Sequence, residues 1–232
     1  MSADEVTTIV DPPHECAECP RLRKFLLDWR KKEPDWFNGP VETWRSPGDT
    51  SNVELLIVGL APGVRGANRT GRPFTGDFAG DLLYETLTRF GFARGSYGAS
   101  PDDGLELRNC AITNAVRCVP PDNKPVGAEI NNCRQFLQAT INSFKNLRGI
   151  VTLGKISHDS TLRALGTRPS QAVFGHGTQN EIGTLRVFSS YHCSRYNTNT
   201  RRLTQEMFHD VFREVTKFLD RQAANEEAVV SQ

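Results

Sequence analysis

The sequence predicts an α/β protein in which helices cover both faces of a parallel sheet. The run ELLIVG at 54–59 has the apolar, β-branched character of a fully buried strand, and three further runs along the chain are predicted to be strands. Segments with helical spacing separate these runs, and such alternation is typical of parallel sheets. A Gly-rich or polar loop follows the first, second and fourth runs. No repeat or shift in composition divides the 232 residues, so we expect a single domain.

The predicted elements follow one another along the chain. Residues 1–12 are predicted to be disordered, and the domain is expected to span residues 13–220. The predicted strands are 54–59, 109–116, 148–153 and 185–190. The predicted helices are 20–32, from near Ala79 to Gly91, 128–144, 157–165 and 203–219. The tail 221–232 is expected to be frayed. The aromatic-rich segment Pro34–Pro47 is predicted to be a lid or packing loop.

Composition limits the class of protein. The hydrophobic fraction of 38% and the net charge of +1 are ordinary for a soluble domain, so any nucleic-acid contact needs local positive charge. No apolar run has the length of a membrane helix, and the first residues lack an export signal. We therefore expect a cytoplasmic protein with no membrane partner, and a monomer by default. A disulfide framework among its six cysteines is not expected.

The loop after the first strand is the strongest candidate for a binding site. Ligands of open α/β sheets bind beyond the carboxyl ends of the strands, which is where this loop lies. Its glycines, among them Gly59, allow the backbone to approach a ligand closely. Arg65, Arg69 and Arg72 supply positive charge, and Phe74 adds an aromatic ring. The alternative is a solvated surface connection.

Three polar residues stand at the ends of different predicted strands. Asp77, Asn114 and His192 would place a carboxylate, an amide and an imidazole around one cavity. Each also has a structural interpretation: the aspartate as a helix N-cap, the asparagine as a turn residue, and the histidine as a satisfied core group. The polar, basic run 194–202 after the histidine suits phosphate contacts and insertion beside unstacked bases, although it could also cap the last helix.

Five blocks of residues stand in order along the chain: Cys16-x2-Cys19-Pro20-Arg21, Gly59-Leu60-Ala61-Pro62, Asn68-Arg69-Thr70-Gly71-Arg72-x-Phe74-Thr75-Gly76-Asp77, Thr113-Asn114-Ala115-Val116-Arg117-Cys118 and His192-x-Ser194-x-x-Asn197-Thr198-Asn199-Thr200. Taken together, these blocks resemble the motifs of the iron–sulfur uracil-DNA glycosylases, and are most similar to those of family 5, also called type B. Their order and number make the resemblance specific. It implies a three-layer α/β/α sandwich with a central four-stranded parallel sheet.

The resemblance also implies roles for individual residues in the release of a flipped base. Phe74 would stack on the base, and Asn114 would read its polar edge. His192 would stabilise the negative charge that develops on the departing base, and Asp77 would place or activate water. The implied base-binding residues are Gly59, Leu60, Ala61, Phe74 and Asn114. The predicted DNA-binding residues are Arg69, Arg72, Ser194, Arg195, Asn197, Asn199 and Arg201.

Four cysteines match the ligand set of a 4Fe–4S cluster in the resembled family: Cys16, Cys19, Cys118 and Cys133. Four thiolates are what such a cluster requires, but they would equally suit a structural zinc ion, and spacing does not separate the two. We expect the cluster to pin the N-terminal segment against the loop that follows Asn114.

The resemblance predicts a monofunctional glycosylase that removes uracil from DNA, and with it other deaminated bases such as hypoxanthine and xanthine. No lysine stands in the motifs to form a Schiff base, so no lyase step is expected. The main alternative is a catalytically inactive iron–sulfur protein of the same fold that binds nucleic acid. A phosphate-loop enzyme acting on free nucleotides is disfavoured, because GLAPGVRG lacks the required lysine. Two departures from the family pattern border the expected pocket, the segment 63–65 and Cys193.

Overall fold

The computed structural model describes residues 11–45 and 52–230, with side chains described to residue 224. Its strands are β1 (Trp44–Arg45), β2 (Leu55–Gly59), β3 (Ala93–Arg94), β4 (Glu106–Leu107), β5 (Cys110–Asn114), β6 (Gly149–Leu153), β7 (Gln179–Ile182) and β8 (Leu185–Ser190). Its α-helices are α1 (Pro20–Lys32), α2 (Ala67–Thr70), α3 (Phe78–Arg89), α4 (Gly127–Ser143), α5 (Lys155–Ala164), α6 (Arg195–Asn199) and α7 (Gln205–Val230).

The main sheet has the strand order β1-β5-β2-β6-β8-β7. The four central strands are parallel, and they are the four strands that the apolar runs predict. In register, Gly59 lies opposite Asn114, and Leu153 lies opposite Ser190. The carboxyl ends of all four strands therefore meet at one edge, and their loops converge there.

Alternation along the buried strands divides the core into two apolar layers. On one face, Leu55 and Ile57 belong to the cluster that α3 and α7 complete. On the other face, Leu56 and Val58 belong to a cluster with residues of α4 and α5. The fold is thus a three-layer α/β/α sandwich. Helix α1 buries Leu22 and Leu26 in a third cluster with Cys118 and Cys133, beside the sandwich.

The sheet is wider than predicted, because an antiparallel strand is added at each edge. β1 has only two residues, and β7 alternates exposed and half-buried residues, so neither carries the apolar signal of a central strand. β7 lies in a segment that was predicted to be a connection. A hairpin of β3 and β4 flanks the turn-rich excursion 95–104. Residues 46 and 47 of the predicted lid lie outside the described residues.

The ends of the chain correct two predictions. The last helix continues to Val230 rather than ending at residue 219, since the segment after Leu219 is rich in strong helix formers such as Ala and Glu. Residues 1–10 of the predicted disordered segment 1–12 lie outside the described residues. Asp11 is fixed, because its carboxylate pairs with buried Arg117 and accepts hydrogen bonds from Thr43. Along the described residues, no helix has the length and hydropathy needed to span a membrane.

Candidate active site

A cavity of about 710 Å³ opens where the loops after β2, β5 and β8 meet. The structure brings Asp77, Asn114 and His192 together in its wall, and Phe74 joins them. The other residues that line the cavity are Trp29, Leu60, Ala61, Pro62, Gly63, Val64, Arg65, Gly66, Ala67, Phe78, Ala79, Asn123, Ser194 and Arg195. Loops from three parallel strands therefore build one site, as their shared edge predicts.

Phe74 and Asn114 are packed tightly against the backbone of Gly59. A Cβ atom at residue 59 would lie 2.3 Å from Asn114 Oδ1 and 2.5 Å from Phe74 Cζ. Both side chains are buried, with 3% of Asn114 and 6% of Phe74 exposed. Only glycine at the end of β2 leaves room for this pair, so Gly59 shapes the pocket by its missing side chain.

The backbone of Phe74 is held in the left-handed region, with φ of +53°. This conformation is unfavourable for a bulky residue and persists only where the surroundings impose it. The Tyr97 hydroxyl donates to the Phe74 carbonyl at 3.2 Å, and the Tyr84 hydroxyl donates to the Pro73 carbonyl. The position of Phe74 is therefore imposed by the hydroxyls of α3 and of the excursion beyond it.

Asp77 has one oxygen committed to helix capping. As N-cap of α3, its Oδ1 accepts hydrogen bonds from the amides of Ala79 at 3.1 Å and Gly80 at 3.2 Å. Oδ2 faces Gly66, where a Cβ atom would approach it to 2.5 Å. Burial raises the pKa of Asp77 above its ordinary value, against the effect of the two amide donors. The capping interpretation is thus correct, and the cap involves only one of the two carboxylate oxygens.

His192 lines the same cavity, with its ring beside that of Phe74. Its ring centroid lies 5.9 Å from that of Phe74 with an interplanar angle of 28°, and its carbonyl accepts a hydrogen bond from Asn197 Nδ2 at 2.8 Å. Its Nδ1 atom is buried and has no hydrogen-bond partner among the described residues. Burial lowers the pKa of His192 from 6.5 to about 4, so the imidazole is neutral at neutral pH.

Six of the seven predicted DNA-binding residues divide into three groups. Ser194 and Arg195 line the cavity mouth, with the Arg195 guanidinium 5.2 Å from the Phe78 ring centroid. Arg69, Asn199 and Arg201 are exposed. Asn197 is half-buried, and its side-chain amide donates a hydrogen bond to the His192 carbonyl.

Arg72 contradicts its predicted role as a DNA contact. The residue is only 5% exposed, and its guanidinium forms a two-pronged ion pair with the carboxylate of Asp103. It also packs over the Trp44 ring at 4.7 Å from the centroid. The positive charge of Arg72 is therefore paired inside the protein, where it ties the loop to the excursion 95–104.

Among the cavity residues that were not predicted as site residues, two lie outside the loop after β2 and the start of α3. Trp29 comes from the C-terminal half of α1, where its spacing indicates only an apolar helix face. Asn123 comes from the loop after β5, where it adopts a positive φ of 55°. Its place in a strand-end loop was the only available signal.

The four predicted metal-binding cysteines line one small cavity with Leu22, Val116 and Phe136. Cys118 and Cys133 are buried, and Cys16 and Cys19 are half-buried. Burial raises the pKa of Cys133 to about 11, and nearby thiols add to the effect at Cys118. Among the described residues, no three His, Cys, Asp or Glu side chains are arranged as ligands of one metal ion. Cys110 and Cys193 are buried elsewhere, and the Cys193 thiol donates to the Ala79 carbonyl.

Comparison with known proteins identifies the protein family to which this fold and cavity belong. Residues 46–216 match the family model described as the uracil DNA glycosylase superfamily, and the chain belongs to it.

Curated relatives narrow this placement within the superfamily. A type-5 uracil-DNA glycosylase of Pyrobaculum aerophilum is 39% identical over 85% of this chain and 86% of its own length. One of Thermus thermophilus is 38% identical over 87% of this chain and 93% of its own length. A type-4 enzyme of Pyrobaculum aerophilum matches 64% of this chain and 71% of its own length at 37% identity. The chain belongs to the type-5 uracil-DNA glycosylase family.

Proposed function

We propose that this protein is a monofunctional DNA glycosylase that hydrolyses the N-glycosidic bond of uracil in DNA and so initiates base excision repair. The observation that carries the proposal is the meeting of Phe74, Asn114, His192 and Asp77 in one cavity at the carboxyl edge of the sheet. The names of its relatives point to the same activity.

Base recognition rests on Phe74 and Asn114. A base that enters the cavity stacks on the Phe74 ring, and its polar edge meets the side-chain amide of Asn114. The close contact of both side chains with Gly59 keeps them from moving apart, which limits the cost of ordering them when the base binds.

Base release requires stabilisation of a leaving anion. As the bond between C1′ and the base nitrogen breaks, its electron pair stays on the base. A neutral imidazole can donate a hydrogen bond to the base oxygen that gains charge, and the low pKa of His192 keeps it neutral. Water then forms the new bond to C1′. The free oxygen of Asp77 accepts the water proton, and a raised pKa makes this carboxylate a stronger base.

The absence of a lysine from the cavity wall supports a monofunctional reaction. Within the described residues, the cavity is lined by arginine but by no lysine. A lyase step needs an amine that forms a Schiff base with C1′, and arginine does not supply one.

The volume of about 710 Å³ supports a broader substrate range, because it leaves room for the second ring of a deaminated purine such as hypoxanthine or xanthine. Exposed Arg69 and Arg201, with Arg195 at the mouth, are the candidates for phosphate contacts.

A 4Fe–4S cluster fits the cysteine cavity. Cys16, Cys19, Cys118 and Cys133 supply four thiols around one small cavity, and a cluster spreads its ligands over four iron atoms, so they need not be arranged around one ion. Bound there, the cluster would supply structural cross-linking. The thiols would hold the segment before α1 against α4 and the loop after β5. Iron and sulfide content, with a broad visible absorbance, test this assignment; stoichiometric zinc would contradict it.

Activity is tested with single-stranded and duplex oligonucleotides that carry uracil, hypoxanthine or xanthine, followed by alkali to reveal abasic sites. We expect strand breaks at uracil with the wild-type protein and none with the Asp77→Asn, His192→Gln double variant. Tight binding of uracil DNA without any base release would favour an inactive binding protein instead.

A further inference from the structure

Trp29 is the one large aromatic residue that helix α1 contributes to the active-site cavity among the described residues. Its ring stacks on Trp36 with a centroid distance of 5.4 Å and an interplanar angle of 7°. Both rings are half-buried, so the pair is neither a core contact nor a loose surface feature. The reaction described above assigns it no role.

The segment after α1, which carries Trp36, is hydrogen-bonded to the loop that carries the base pocket. Arg30 Nε donates to the Asn38 carbonyl, and Asn38 in turn donates from its amide side chain to Glu33. The Asn68 side chain donates to Asn38 Oδ1 at 2.9 Å, and the Phe37 amide donates to the Arg69 carbonyl at 3.1 Å. The segment after α1 is therefore fixed to the loop after β2.

Positive charge surrounds this wall of the cavity. Arg65 lines the cavity and is exposed. The Lys32 ammonium lies 4.5 Å from the Trp29 ring centroid, on an exposed side chain. Neither side chain pairs with a carboxylate anywhere in the described parts of the chain. An exposed cation on an aromatic face is weakly held, so a stacking base can take its place while the charge stays near a phosphate.

We propose that Trp29, backed by Trp36, forms a second stacking subsite for the nucleotide adjacent to the everted one on the same strand. Arg65 then faces the phosphate that joins the two nucleotides. The proposal rests on the proposed function for the identity of the first subsite. Its support is the continuity of the Trp29 wall with that cavity, the volume in excess of one base, and the unpaired cations.

The test uses oligonucleotides in which an abasic tetrahydrofuran replaces the nucleotide on the 5′ side of uracil, on its 3′ side, or four positions away. Binding is measured by fluorescence anisotropy with a 2′-fluorodeoxyuridine that resists cleavage, and kcat/KM with ordinary deoxyuridine. The proteins are wild type, Trp29→Leu, Trp29→Phe and Leu27→Ala. Leu27 is an exposed apolar residue of the same helix that does not line the cavity, and it serves as the matched control.

We expect removal of one adjacent base to weaken wild-type binding about tenfold, the size of one base–aromatic stack. Trp29→Leu should weaken binding of intact DNA by the same factor and show no further loss with the abasic neighbour. Trp29→Phe should recover part of the loss, and Leu27→Ala should match the wild type.

Equal sensitivity of wild type and Trp29→Leu to the missing neighbour would overturn the proposal. So would a Trp29→Leu loss seen only with the hypoxanthine oligonucleotides of the activity assay, because it would place Trp29 against the everted base itself. If the wild type releases no base from any substrate, the proposed function fails, whereas the anisotropy measurements still decide the stacking subsite.

Discussion

A single added carbon at Gly59 should disable the base pocket without unfolding the protein. The Cβ of Gly59→Ala would lie 2.3 Å from Asn114 Oδ1 and 2.5 Å from Phe74 Cζ, whereas ordinary contacts begin at 3.4 Å. Both side chains must therefore shift by about 1 Å. Neither has free space, since both are buried. A displacement of this size is enough to lose a directed hydrogen bond or a flat stack.

The expected magnitude follows from what the two side chains contribute. A hydrogen bond to the base edge and one base–aromatic stack are worth about 1–3 kcal/mol each. Loss of both interactions should raise the activation free energy for kcat/KM by at least about 2 kcal/mol, which lowers kcat/KM roughly 30-fold. Overpacking should cost about 1–3 kcal/mol of stability, which a domain of this size tolerates.

The assay is single-turnover release of uracil from a labelled oligonucleotide, with urea denaturation to confirm folding. Gly127→Ala is the matched control, because a Cβ atom at Gly127, the first residue of α4, meets nothing within 4 Å. We expect wild-type rates from this control. A Gly59→Ala protein with rates near the wild type would show that Phe74 and Asn114 do not define the base pocket.

Three further predictions concern charged groups. Asp77→Asn should keep the cap of α3 and the stability of the protein but lower kcat about 10²–10⁴-fold. Asp77→Ala should also lose about 1 kcal/mol of stability in urea denaturation. Equal kcat for wild type and Asp77→Asn would exclude the role of Asp77 as the base. Unfolded His192 binds a proton at higher pH than folded His192, so its protonation destabilises the fold progressively as pH falls from 6.5 towards 4. His192→Gln should make the urea midpoint depend less on pH over that window, and an unchanged pH dependence would contradict the lowered pKa of His192. Arg201→Gln should reduce the salt dependence of DNA binding by about one phosphate contact. Asp103→Asn leaves buried Arg72 without its ion-pair partner, so it should cost about 3–5 kcal/mol of stability and leave the salt dependence unchanged. The reverse pattern would restore Arg72 as a DNA contact.

The sequence predicts the centre of the fold better than its margins. Strands β2, β5 and β6 are buried at every residue, so each is an apolar run that can be recognised locally. Edge strands lack this signal: β7 owes its strand structure to pairing with β8, which its own four residues do not indicate. The convergence of the strand-end loops was predictable because parallel strands end at a common edge.

Arg72 and Trp29 show where local interpretation of the sequence fails at the site. The buried partner of Arg72 is Asp103, which lies 31 residues away in a turn-rich excursion, and no local pattern pairs them. The spacing of Trp29 fits a core-facing position on α1 and a cavity wall equally well, because both lie on one side of the helix. The core-facing position and the cavity wall can be distinguished only when the packing of the loop after β2 against that helix is known.

The chemistry of the site depends on close contact with glycine backbone more than on a dense network of side chains. Gly59 admits Phe74 and Asn114, Gly66 admits Asp77 Oδ2, and Gly80 leaves space for the Phe74 carbonyl, which a Cβ atom there would approach to 1.9 Å. Each of these backbones belongs to β2, its loop or the start of α3, so the sheet and α3 fix the functional side chains directly. Rigid backbone positions a group with little ordering cost when substrate binds. Substitutions at Gly59, Gly66 and Gly80 should therefore impair base release more than their distance from the reacting bond would indicate.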